Sequence, residues 1–98
     1  MSENISDRKH TARKRHICNG CMGPIDPGET YWRTLVKDGP RAISFCEHVA
    51  CRRASEIVAA HLPYDVIADG MPHVCEMEPE EVETVMAEDS ETALAVWP

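Results

Sequence analysis

Two pairs of soft donors carry the chemistry of this sequence: Cys18-x-x-Cys21 and, 26 residues later, His48-x-x-Cys51. Two such donors three apart can hold one ion from a tight turn, and positions three apart share a face where a helix begins. A Cys₃His set suits tetrahedral Zn²⁺ and fills every coordination position, as in structural rather than catalytic zinc sites. An isolated cysteine is commonly just a small buried hydrophobe; the paired spacing is what points to one structural zinc. The third donor has a rival. Cys46 is chemically the better zinc ligand and would make a Cys₄ site, whereas His48 has the three-residue spacing to Cys51 that favours it.

Other cysteine chemistries fit less well. A disulfide framework belongs to oxidising compartments, and the polar start MSENISDRKH has no apolar signal core. A redox Cys-x-x-Cys opens a helix, yet Cys21 is followed by Met-Gly-Pro and then Asp26-Pro27-Gly28. His73 and Cys75 read as ordinary loop residues. No nucleophile has an identifiable base and no glycine loop for phosphate is present, so the reading is not an enzyme.

The elements that must position these donors can be read around them. Asp26-Pro27-Gly28-Glu29 reads as a type II turn, with Gly where φ must be positive. Tyr31–Val36 is β-rich, and alternation turns one of Tyr31 and Trp32 inward. Asp38-Gly39 signals a hairpin, with Pro40 lengthening the turn, and Arg41–Phe45 returns with Ile43 and Phe45 on one face. From about Glu47 to Leu62 the period is helical, with Cys51, Ala54, Val58 and Leu62 on one stripe, and Pro63 stops it. Residues 64–78 read as a loop with a short strand. Pro79-Glu80-Glu81 starts an acidic helix whose Val82, Val85, Met86, Ala93, Val96 and Trp97 recur at helical spacing.

Charge divides the 98-residue chain sharply. Residues 1–17 carry five Lys/Arg against two acids, residues 18–75 five against seven, and residues 76–98 eight acids with no Lys or Arg. Residues 1–15 thus read as a disordered basic arm, 16–63 as the zinc module, 64–78 as a loop and 79–98 as an acidic amphipathic helix or tail. Arg8, Lys9, Arg13, Lys14 and Arg15 are candidate phosphate contacts for nucleic acid. The acidic helix, with its apolar stripe, is a candidate docking element for a protein partner. No apolar run approaches the roughly 20 residues of a membrane span, so the expectation is a cytoplasmic protein.

The stretch His16-Ile-Cys18-Asn-Gly-Cys21-Met-Gly-Pro-Ile25-Asp-Pro-Gly28-Glu29-Thr-Tyr31, followed by Glu47-His48-Val-Ala-Cys51, resembles the small treble-clef zinc-finger proteins of actinobacteria and their bacteriophages. The spacing is also similar to that of poly(ADP-ribose) polymerase-type zinc fingers. The resemblance spans residues 16–62 and implies an α+β treble clef: knuckle, β-hairpin, helix. It also implies one structural Zn²⁺ on Cys18, Cys21, His48 and Cys51. It implies no particular activity. The residues themselves favour a zinc module that binds a protein, with nucleic acid as the alternative partner.

Overall fold

The computed structural model describes residues 2–67 and 71–98. Its chain divides into two compact units, Met1–Val49 and Ala50–Pro98. The first is built from strands β1 (Ser2–Thr11), β2 (His16–Ile17), β3 (Pro24–Ile25), β4 (Thr30–Asp38) and β5 (Arg41–His48). The second holds helices α1 (which begins at the unit boundary, Val49–Ala59), α2 (Tyr64–Ile67), α3 (Pro79–Glu88) and α4 (Ser90–Val96), with a 3₁₀ turn at Val74–Glu76. The mixed α+β class agrees with the sequence. Among the described residues no helix is long and apolar enough to cross a membrane.

In the first unit β4 is the centre of an antiparallel sheet ordered β1-β4-β5, and β2 pairs with β3 in a separate ribbon. The expected hairpin forms, with a tighter turn than Pro40 suggested. Asp38 pairs with Arg41, leaving Gly39-Pro40 as a two-residue loop. Gly39 has φ +62° and proline fixes φ near −65°. That sign pattern belongs to a type II′ turn, whose twist matches that of the strands. The Asp26–Glu29 turn forms as read: Gly28 has φ +95°, and Glu29 N–H donates to the Asp26 carbonyl at 3.1 Å.

The N-terminal segment corrects the sequence reading. Residues 1–15 were expected to be a disordered arm; Ser2–Thr11 instead forms an edge strand in register with β4, from Ser2↔Asp38 to Thr11↔Thr30. Polar cross-strand pairs attach it. Thr34 Oγ1 donates to Asp7 at 2.8 Å, Lys9 Nζ lies 5.4 Å from the Trp32 ring, and the His10 ring sits 6.1 Å from that of Tyr31. Such a strand has no apolar alternation to reveal it, and its charges suit an edge that must resist pairing with other chains.

In the second unit α1 buries Cys51, Ala54, Ser55, Ile57, Val58 and Ala59. The helix is shorter than Glu47–Leu62, because His48 still belongs to β5. Within the unit Ser55 Oγ donates to the Pro72 carbonyl and Arg53 lies 3.5 Å from Asp89, and just past the helix His61 lies 3.0 Å from Glu88. The described part of residues 64–78 forms the short helix and 3₁₀ turn rather than a strand, and Val74 is buried; residues 68–70 lie outside the described residues.

The expected single helix over residues 79–97 is two helices broken at Asp89. Glu78 and Glu81 form a capping box ahead of Pro79. Asp89 then ends α3 and caps α4, accepting from the Thr92 amide at 3.2 Å and the Thr92 hydroxyl at 2.9 Å. The buried stripe is Val85 and Ala93, while Met86 is exposed.

The Thr92 hydroxyl and amide, helped by Arg53, hold the Asp89 carboxyl below the usual carboxylate range against a smaller opposing effect of desolvation. A lowered folded-state value means that the ionised cap stabilises α4 above the unfolded value of about 4 and is lost as pH falls through the folded one. The Thr92 amide resonance should therefore move upfield in acid as α4 frays. Asp89→Asn should keep the helix, because its amide oxygen still accepts, and abolish that pH dependence.

Candidate metal centre

Cys18, Cys21, His48 and Cys51 each bring one donor atom to a common point, all four lying within 4.8 Å of one another. Cys18 and Cys21 stand on the knuckle between β2 and β3, His48 is the last residue of β5, and Cys51 lies in the first turn of α1. The three-residue spacing works across a strand–helix junction rather than along one helix face. Tetrahedral zinc, with Zn–S about 2.3 Å and Zn–N about 2.0–2.1 Å, sets its donors about 3.5–3.8 Å apart. Cys21 Sγ and His48 Nδ1 are 3.4 Å apart, so the residues fit such an ion.

The knuckle backbone is shaped to present its sulfurs. Cys18 N–H donates to the Gly23 carbonyl at 2.8 Å and Met22 N–H to the Cys18 carbonyl at 2.9 Å. The residue with positive φ is Met22, at 64°, not Gly20 or Gly23. A side chain in that left-handed region stores strain of the order of 1–2 kcal/mol, which the knuckle must hold. Gly23 leaves room beside a sulfur: a Cβ there would sit 3.3 Å from Cys21 Sγ, a tight contact.

Amide donors converge on the thiol sulfurs. Gly20 N–H and His48 N–H point at Cys18 Sγ (3.3 and 3.4 Å), and Gly23 N–H at Cys21 Sγ (3.4 Å). Amide contacts of this kind orient the sulfurs that would bind a metal.

The imidazole is oriented by its far nitrogen. His48 Nε2 lies 2.9 Å from the Pro24 carbonyl oxygen. A carbonyl only accepts, so Nε2 is the donor of this contact, and the ring presents Nδ1 to the Cys21 thiol. Glu29 Oε2, 3.6 Å from Nε2, adds negative charge on that side. This is the outer-shell arrangement that fixes tautomer and ring angle in histidine metal sites.

Cys46 stands outside the cluster. It pairs with Arg33 across the sheet, and burial pushes its thiol up; Arg33 pulls the other way and Cys18 adds to the rise. Its backbone does more than its sulfur. Cys46 N–H donates to Asn19 Oδ1 at 2.9 Å, and Asn19 N–H donates to the Cys46 carbonyl at 2.7 Å. Asn19 thus clips the knuckle to β5, a role that no metal-binding pattern marks. Cys75 is exposed, and among the described residues neither it nor His73 joins a group of three or more donors.

The five candidate phosphate contacts are dispersed over ordered backbone. Arg8 sits opposite Arg33, Lys9 is over Trp32, Arg13 and Lys14 lie in the turn after β1, and Arg15 is 3.9 Å from Asp26. No protein-family model, curated protein or solved structure matches this chain.

Replacing His48 with Ala should lower zinc affinity by at least about tenfold, while Cys46→Ala should leave zinc binding unchanged in competition titrations against a chromogenic chelator. Asn19→Ala should cost about 1 kcal/mol of stability in denaturant titration, as loss of one side-chain hydrogen bond does, with zinc stoichiometry kept.

Proposed function

We propose that this chain is a zinc-binding module of treble-clef type whose one Zn²⁺ is structural, and that it acts by binding a protein rather than by catalysis. The observation that carries the reading is the convergence of a Cys₃His donor set, which fills a tetrahedral ion and leaves no position for water or substrate. The order of knuckle, β4–β5 hairpin and helix supports the treble-clef assignment.

A structural role also follows from how little else orders the first unit. Among the described residues its buried large side chains are Ile25 and Tyr31, and Cys18 and Ala12 are buried too. Burying one large apolar side chain contributes about 1.5–3 kcal/mol, whereas structural zinc in small fingers supplies on the order of 10 kcal/mol. Three thiolate ligands must stay reduced, which suits the cytoplasm.

The protein-partner reading draws on the second unit, which exposes Tyr64, Val66, Met71, Met86 and Leu94 on a segment dense in acids. Large apolar side chains ringed by charge are the make-up of protein contact surfaces.

Native mass spectrometry should show one Zn²⁺ per chain, and a metal-free chain that keeps its tertiary structure would contradict the reading. Partner capture by the full chain should persist in high salt and be lost on Met86→Asp with Leu94→Asp, zinc content being unchanged. Capture that survives that double variant would contradict the protein-docking role.

A further inference from the structure

The first unit contains a second concave feature that shares no residue with the metal ligands. His10, Thr11, Arg13, Lys14, His16, Tyr31 and Arg33 line a cleft of about 680 Å³. Three of these are permanent cations, two are imidazoles, and no carboxylate is among them. Among the described residues no acid forms an ion pair with Arg13, Lys14 or Arg33. Gathering like charges around one hollow costs energy unless an anion enters.

The cleft is held open by the fold. Ala12 is buried; its N–H donates to the Glu29 carbonyl and its own carbonyl accepts from Gly28 N–H, both at 2.8 Å. The β1 pairing ends at Thr11↔Thr30 immediately before it, and β2 pairs with β3 from His16 onwards. The Arg13-Lys14 tip is therefore anchored on both sides. Tyr31, nearly buried, forms the floor, with the His16 ring 5.0 Å and the His10 ring 6.1 Å from its own. Ordering cost that a flexible basic arm would pay on binding is already met here.

We propose that this cleft binds the phosphodiester backbone of a single-stranded nucleic acid, without reading its sequence. The guanidinium forks of Arg13 and Arg33 and the Lys14 ammonium suit phosphate oxygens. The volume far exceeds that of one phosphate group and accommodates a nucleotide unit. The cationic tract also continues past the cleft. Arg8, directly opposite Arg33, shares its face of the sheet, so successive phosphates of a polymer meet successive cations. The first unit as a whole carries eight Lys/Arg against six Asp/Glu, and the net negative charge of the chain resides in residues 50–98, with two against eleven.

This goes beyond the protein-binding reading and does not rest on it, since the cleft contains none of the four metal donors. The test is fluorescence anisotropy of the full-length, zinc-loaded protein with a labelled mixed-sequence DNA single strand of about 12 nucleotides, within the usual site size for such grooves. Binding should weaken steeply with added salt. Arg13→Gln with Lys14→Gln should weaken it about tenfold and flatten the log–log salt slope by about 1.4, or about 0.7 per lost phosphate contact.

Arg33→Gln should act in the same direction, and Arg41→Gln, which pairs with Asp38 on the opposite face of the sheet, should leave affinity within about twofold. Zinc content measured on each variant shows that the fold is kept, so a loss of binding reports on the cleft. Equal binding by wild type and the cleft variants, or none at low salt, would overturn the proposal. So would equal affinity for inorganic phosphate alone, which would make the cleft a small-anion site. Tighter binding of a peptide of residues 76–98 would also overturn it, by assigning the cleft to the acidic end of this chain.

Discussion

Three sulfurs and an imidazole nitrogen within 4.8 Å of one another set the constraint on which the rest of this structure depends. Three sulfurs gathered this closely would repel one another as thiolates. A divalent cation held among them would neutralise that charge. The four donors come from the knuckle, the end of β5 and the first turn of α1. A metal held there would supply order that a small core provides only in part.

The surrounding structure reads as support for that point. Gly23 makes room for Cys21 Sγ, Met22 takes a strained left-handed turn, Asn19 clips the knuckle to Cys46, and the Pro24 carbonyl accepts from Nε2 of His48. Tyr31 lies opposite His48 across the sheet and also floors the basic cleft. The sheet that carries one of the four donors thus carries the cationic surface too.

The four converging donors were legible in the sequence because chelation needs fixed spacing, and so were the β4–β5 hairpin, the Asp26–Glu29 turn and α1, which obey local backbone rules. What was not legible is instructive in physical terms. Strand β1 is held by polar cross-strand pairs such as Asp7–Thr34 and Lys9–Trp32, which leave no period-two apolar signal and read as disorder. The break at Asp89 depends on a side chain that can end one helix and start another, and the apolar periodicity runs across it unaware. Asn19 acts through a contact 27 residues away, beyond any local pattern. The cleft assembles His10, Arg13, Lys14, His16 and Arg33 only once β1 has paired with β4.

The most direct test of this account is the dependence of unfolding free energy on free zinc concentration. If the Cys18, Cys21, His48 and Cys51 site exists only in the folded chain, stability must rise by about 1.4 kcal/mol for each tenfold increase in free zinc above the dissociation constant. That slope, displaced in His48→Ala to zinc concentrations at least about tenfold higher, is the predicted result. An unfolding free energy indifferent to zinc would mean that the fold stands without the ion, and would contradict the account.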